Sequence, residues 1–139
     1  MLLALASPVL AQETPAGTWK TIDDSSGKPR ALVRITESNE TLSGKIEKLF
    51  SVPANEQNPR CTACSGARKD QPILGMTILS GLRREGHSMV WSGGEIVDPD
   101  NGRIYRSKAT LTDGGRKLDV RGYIGVPMLG RTQTWLREP

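Results

Sequence analysis

Residues 103–137 read RIYRSKATLTDGGRKLDVRGYIGVPMLGRTQTWLR, and apolar and polar side chains alternate along three segments of this stretch. Turn signals precede and divide the segments: DPDNG at 98–102 and DGG at 113–115 contain residues that tolerate positive φ angles. A side-chain period of two that is interrupted by such turns is typical of antiparallel strands. The stretch therefore predicts a β-meander.

The alternation also assigns side chains to the two faces of each predicted strand. Tyr123 is predicted to lie outward, with Lys117, Asp119 and Arg121. The inward face is predicted to carry Tyr105, Ser107, Ala109, Leu111, Leu118, Val120, Gly122 and Ile124.

The same period of two occurs earlier in the chain. Strands are predicted at 17–22 and 31–37, then around Leu42, Gly44 and Ile46, and over 73–84, where Leu79 and Leu82 fall on opposite faces. Shorter runs follow at 87–91 and 95–97. About eight or nine short strands with mostly short connections favour an all-β fold, an antiparallel up-and-down barrel rather than a sandwich.

The chain has 139 residues, the length of one domain. Residues 1–11, MLLALASPVLA, are apolar apart from Ser7 and resemble the core and cleavage site of a secretory signal, with the cut after Ala11. No basic residue precedes the apolar run, which indicates a truncated or misplaced start. We therefore expect a signal peptide at 1–11 and a single barrel domain at 12–139, in the periplasm or secreted. An apolar run of eleven residues is too short to span a membrane.

The charged residues do not indicate a nucleic-acid partner. The net charge is +4, but basic and acidic side chains are interspersed, and Phe50, Tyr105 and Tyr123 are the only Phe and Tyr residues. A nucleic-acid surface needs a basic stripe with stacking aromatics. We predict no nucleic-acid binding.

The most distinctive local motif is Cys61-Thr62-Ala63-Cys64. Two cysteines in an exported chain most simply form one disulfide, although a redox-active pair and a metal half-site are the alternatives. Zinc needs about four ligands, and His87 is the only histidine. We favour a structural disulfide as the interpretation, and we predict no metal or cofactor.

No catalytic constellation is visible in the sequence. A serine nucleophile would need His87 as its base, and the G-x-S-x-G turn is absent. The acidic run at 98–102 has the composition of a hairpin turn and lacks the distal Glu of a calcium loop. We predict no catalytic residues.

Two features bear on a binding site. Residues 51–72 form a long proline-containing connection, and connections of this length are usually functional or disordered. Four predicted inward residues are small, namely Gly44, Ser107, Ala109 and Gly122. An eight-stranded barrel is either just filled by side chains or just wide enough for one small ligand, so a cavity and a filled core both remain open.

The order of short motifs resembles a bacterial exported family, domain of unknown function 2147. The resemblance spans residues 16–137 and is carried by GTWKT at 17–21, CTACSG at 61–66, RKDQPI at 68–73, WSGG at 91–94, RGYIG at 121–125 and LGRTQTW at 129–135. The Gly17-Thr18-Trp19 motif and a basic residue near the last strand, Arg131 or Arg137, are similar to the lipocalin pattern. That resemblance implies a Trp that closes one end of the barrel and an Arg that packs over it.

Our sequence-based hypothesis is an exported binding module for a small apolar or amphipathic ligand. The alternatives are a structural or interaction protein of the cell envelope with a filled barrel and, less favoured, an enzyme. A polar head group would meet Arg68, Lys69 and Asp70 on the long connection. The remaining predicted binding residues are Trp19, Tyr105, Leu118, Val120, Ile124 and Arg131.

Overall fold

Each strand of this protein has one apolar face, and the structure buries all of these faces by curling one sheet into a closed barrel. The computed structural model describes residues 13–50, 58–126 and 128–139. Every strand pairs antiparallel with its neighbour in the chain, and the first pairs with the last. The strands are β1 (Gly17–Ile22), β2 (Pro29–Ser38), β3 (Thr41–Leu49), β4 (Thr77–Arg84), β5 (Val90–Val97), β6 (Ile104–Thr112), β7 (Lys117–Tyr123) and β8 (Gly130–Arg137).

The predicted antiparallel up-and-down barrel of eight to nine strands is confirmed, with eight strands in the described residues. The described residues also include two short 3-10 helices, Gly66–Arg68 and Asp113–Gly115. The predicted signal peptide at 1–11 lies outside the described residues, and so do 51–57 of the long connection.

Strand β4 departs from the predicted alternation. The period of two placed Leu79 and Leu82 on opposite faces, but both are fully buried. The pairing with β3 is irregular here, since Leu42 faces Leu82 and Gly44 faces Leu79, and Gly81 has a φ of 76°. Such an irregularity shifts which side chains point inward. The runs predicted at 87–91 and 95–97 contribute to one strand, β5, which begins at Val90, and residues 87–89 lie in the turn before it.

One end of the barrel is sealed by Trp19 on β1. The side chain is fully buried, and its indole N–H donates a 2.7 Å hydrogen bond to the carbonyl of Pro15. The guanidinium of Arg137, on β8, lies 4.4 Å from the centre of the indole ring. This is the arrangement that the lipocalin resemblance implies, and Arg137 rather than Arg131 supplies the cation.

Arg137 also ties three chain segments together at this end. It donates hydrogen bonds to the carbonyl oxygens of Thr14 at 2.7 Å, Ala16 at 2.9 Å and Gly115 at 2.7 Å. Burial lowers the pKa of Arg137 below the usual guanidinium value. The residue remains charged at neutral pH, because guanidinium groups do not deprotonate there.

Candidate functional site

The opposite end of the barrel is open and leads into a cavity of about 1520 Å³. The turns β1–β2, β5–β6 and β7–β8 and the connection from β3 to β4 surround this mouth. The sequence did not decide between a cavity and a filled core, and the structure contains a cavity.

The cavity wall is largely apolar. It is lined by Ala31, Val33, Ile46, Ile78, Ile96, Val97, Val120 and Trp135, among others. Of the four small inward residues, Gly122 lines the cavity, whereas Gly44 is packed so closely that an added Cβ would lie 3.0 Å from Val33. Ser107 is fully buried, and its hydroxyl has no hydrogen-bond partner within the described part of the chain.

Polar side chains follow one wall of the cavity, from the mouth inward along β8. Arg131 lies at the mouth, with Nη2 3.4 Å from Oδ2 of Asp24. Gln133 donates to the same oxygen at 3.3 Å and accepts a 3.4 Å hydrogen bond from the indole N–H of Trp135, which is buried. Asp24 does not line the cavity itself; it lies beside the rim and holds the side chains of Arg131 and Gln133. We call Arg131, Gln133 and Trp135, which line the cavity, the polar ladder. It can meet the polar part of a molecule whose apolar part contacts the rest of the wall.

Sequence reasoning missed Gln133 and Trp135 on the cavity wall, and Asp24, which contacts Gln133 beside the rim. The inward alternation of Arg131, Gln133 and Trp135 on the last strand is the signal that could have found two of them. Asp24 lies in the β1–β2 turn, distant in sequence, and only the closed barrel brings it to β8.

A further arginine at the mouth, Arg30, contacts two of the turns that surround it. Arg30, at the start of β2, forms an ion pair with Asp100 in the β5–β6 turn, and its Nε lies 3.9 Å from Asp23. Partial burial of Arg30 acts to lower its pKa, but the hydrogen bond and attraction of Asp100, with attraction from Asp23 and Asp98, outweigh burial and raise it. Arg30 therefore links two turns of the mouth.

The disulfide between Cys61 and Cys64 is present, as favoured from the sequence. Both residues are buried, and the sulfur of Cys61 lies 3.3 Å from the carbonyl oxygen of Pro99. The pair thus fastens the β3–β4 connection to the β5–β6 turn. Pro59, Arg60, Thr62 and Ile73 of this connection line the mouth.

Arg68, Lys69 and Asp70 do not line the cavity. Lys69 donates to the carbonyl of Thr62 at 2.5 Å, and the Asp70 N–H donates to the carbonyl of Cys61 at 2.9 Å. These contacts stabilise the disulfide loop itself. A role in holding a head group stays a prediction.

The other predicted binding residues divide between the two ends of the barrel. Tyr105, Val120, Ile124 and Arg131 line the cavity, and Trp19 and Leu118 do not line it. Both are fully buried, Trp19 in the closed end and Leu118 opposite Trp135 in the β7–β8 pairing.

The alternation predicted for β7 fails at its last residues. Tyr123, assigned outward, is buried, and Ile124, assigned to the inner face, is 63% exposed although it borders the mouth. Strand β7 ends at Tyr123, and Gly125 has a φ of 80°. Ile124 therefore lies past the end of β7, where the alternation no longer specifies which way a side chain points.

Within the described residues, no helix is long and apolar enough to cross a membrane. No three His, Cys, Asp or Glu side chains there come close enough together to hold a metal ion.

Asp23 in the β1–β2 turn provides a pH-dependent contribution to stability. A 2.7 Å hydrogen bond from the Ser25 hydroxyl, followed by those from the backbone N–H groups of Ser26 and Ser25, lowers its pKa from 3.8 to about 2. A lowered folded-state pKa stabilises the protein above the unfolded value, and this stabilisation is lost as pH falls through the folded value. We expect wild type to exceed Asp23→Ala in stability at pH 7 and this difference to shrink between about pH 4 and pH 2.

Urea unfolding of both proteins at pH 7, 4 and 2 measures this difference. A difference that stays constant over this range would contradict the assignment.

These features define a class of protein. A closed eight-stranded antiparallel barrel, sealed at one end by a Trp–Arg contact and open at the other to an apolar cavity, is lipocalin-like. The chain belongs to the bacterial family described as "Uncharacterized protein conserved in bacteria (DUF2147)", whose model matches residues 17–137. Both resemblances predicted from the sequence are confirmed.

A solved structure supports the fold assignment. The chain is similar to protein HP1028 from Helicobacter pylori, described as belonging to the lipocalin family, with a TM-score of 0.76 and 17% sequence identity. The match covers 91% of this chain and 84% of that one. At this identity the likeness establishes the fold alone. No curated protein sequence matches this chain.

Proposed function

We propose that this protein is an exported binding protein that holds one small amphipathic molecule in its barrel. The observation that carries the proposal is the combination of an apolar wall with the polar ladder along one side of a cavity of about 1520 Å³. Ligand pockets are mostly apolar with a few placed polar groups, and typical volumes are about 300–1,000 Å³. The cavity is therefore large enough for one such molecule.

The proposed location rests on two features of the chain. Residues 1–11 have the composition of a secretory signal, and the single disulfide suits an oxidising compartment. We propose the periplasm or the extracellular medium.

The alternative, an interaction protein of the envelope, draws on one observation. Val126, Met128 and Leu129 are 52%, 87% and 71% exposed, which forms an apolar patch beside the mouth. A filled barrel, the other part of that alternative, does not fit the cavity. The binding module accounts for more of the structure.

Native mass spectrometry of protein purified from its own cell envelope tests the proposal. We expect a retained mass that solvent extraction releases. Bare protein after gentle purification would argue for the alternative.

A pair of variants on β2 distinguishes binding inside the cavity from binding elsewhere. Ala31 lines the cavity, and the adjacent Leu32 points away from it, so Ala31→Trp fills the cavity whereas Leu32→Trp adds the same side chain outside. We expect Ala31→Trp to raise the ligand's Kd at least about tenfold, which corresponds to a loss of about 1.4 kcal/mol of contacts, and so to lower the fraction of protein that carries the retained mass. Leu32→Trp should retain it.

Circular dichroism and thermal unfolding show whether both variants remain folded. If folded Ala31→Trp carries as much ligand as Leu32→Trp, the cavity is not the binding site.

A further inference from the structure

Exposed aliphatic side chains are concentrated on the turn between β7 and β8. Ile124, Val126, Met128 and Leu129 are 63%, 52%, 87% and 71% exposed. They account for four of the nine large hydrophobic side chains that are exposed in the described part of the chain. We call these four side chains the aliphatic tip. Contiguous exposed apolar surface usually marks an interaction site.

The aliphatic tip is continuous with the cavity. Ile124, Met128 and Leu129 also line the mouth, and so does Phe50, which is 41% exposed. An apolar surface therefore runs from the outside of the protein into the barrel.

The turn that carries the tip has internal partners for several of its backbone groups. The carbonyl of Val126 accepts a 3.0 Å hydrogen bond from the N–H of Leu129. The guanidinium of Arg121 donates to the carbonyls of Met128 at 3.5 Å and Gly130 at 3.2 Å. Paired backbone groups cost less to move into an apolar medium than unpaired ones.

Basic and acidic side chains share the rim of the mouth, where Arg131 pairs with Asp24 and Arg30 pairs with Asp100. Arg131 has a side chain that is 73% exposed, and the ammonium of Lys48 lies 5.0 Å from the centre of the Phe50 ring. Lys28 and Arg60 line the mouth, and neither has an ion-pair partner among the residues that the structure describes. Basic residues beside an apolar insert favour a surface of anionic lipid.

The composition of the tip argues against a protein as the occupant. Binding hot spots are rich in Trp, Tyr and Arg and poor in Leu and Val, whereas the tip is entirely aliphatic.

We propose that the aliphatic tip inserts into the surface of an anionic lipid bilayer and that the mouth of the cavity then faces the lipid. The evidence for this docking is the exposed aliphatic tip and the charged side chains around it. Transfer of a molecule between membrane and cavity would rest, in addition, on the proposed function.

Flotation with lipid vesicles tests the docking. Vesicles of phosphatidylethanolamine and phosphatidylglycerol present an anionic surface, and vesicles of phosphatidylcholine present a neutral one. We expect the full chain to float with the anionic vesicles and to dissociate as salt is raised. Met128→Ser/Leu129→Ser should weaken binding at least about tenfold, since two large apolar side chains are no longer buried in the lipid.

The matched control is Met89→Ser/Leu136→Ser. These two side chains are each 38% exposed and lie toward the closed end of the barrel, so their replacement should leave vesicle binding unchanged. Circular dichroism establishes that both double variants are folded.

Three outcomes would overturn the proposal. They are no flotation of the wild type, equal flotation of the tip and control variants, and a dimer that only the tip variant dissociates, which would assign the tip to a second copy of this chain. Vesicle binding does not require a ligand in the cavity. If mass spectrometry finds no ligand in the cavity, the proposed function is wrong, but the vesicle experiment still tests the docking.

Discussion

Trp19→Ala is expected to lower the free energy of unfolding by about 3–5 kcal/mol, the range observed when large aromatic core residues are truncated. The indole is fully buried, and it also positions two other groups. The Pro15 carbonyl would lose its 2.7 Å partner, and Arg137 would lose the ring against which it is stacked at 4.4 Å. Since domains of this size are stable by about 5–15 kcal/mol, the variant would approach unfolding at growth temperature.

Chemical denaturation monitored by circular dichroism measures this loss. Trp19→Phe keeps most of the buried area but removes the N–H donor. It should lower the free energy of unfolding by about 1–3 kcal/mol, because the Pro15 carbonyl loses its hydrogen bond and the smaller ring leaves a small cavity. Leu136→Ala, at an exposed position on β8, is the control and should change stability by less than about 0.5 kcal/mol. A loss below about 1 kcal/mol for Trp19→Ala would show that the closed end does not depend on this residue.

Gly102→Ala is expected to have the second large effect, at about 2–5 kcal/mol. Gly102 has a φ of 73°, and an added Cβ would lie 2.1 Å from the carbonyl oxygen of Ala63. Ala63 lies inside the disulfide loop, where neither the carbonyl nor its neighbour Cys64 can easily yield. The substitution should therefore separate the disulfide loop from the β5–β6 turn and disturb the mouth of the cavity.

The chain contains a matched control for this clash. Gly27 has a φ of 72° and nothing within 4 Å of an added Cβ, so Gly27→Ala has the same backbone strain without the contact. It should cost about 1–2 kcal/mol. Denaturation of the two variants side by side measures the difference, and equal losses would contradict a tight contact between the loop and the turn.

Much of the fold follows from local alternation. Strand β1 is found at 17–22 as predicted, and Ala31, Val33 and Ile35 on β2 are buried as the period of two requires. A strand with one apolar face must bury that face, and short turns make each strand pair with the next. Together these constraints leave few alternatives to a closed barrel.

The candidate site was predicted less completely, because it combines residues that are far apart in the sequence. The inward pattern of β6 and β7 placed Tyr105 and Val120 on the wall. The pattern could not show that Asp24 meets Gln133, a contact across 109 positions that exists only because β1 closes against β8.

The alternation, the turns and hence the class of fold could be derived from the order of residues alone, since these features depend on each residue and its near neighbours. The identity of the cation over Trp19, the presence of a cavity and the exposure of Ile124 beside the mouth became apparent only in the folded barrel. Those outcomes depend on strand register and on the space left between packed side chains. Both are set by contacts between segments that the chain order does not place side by side.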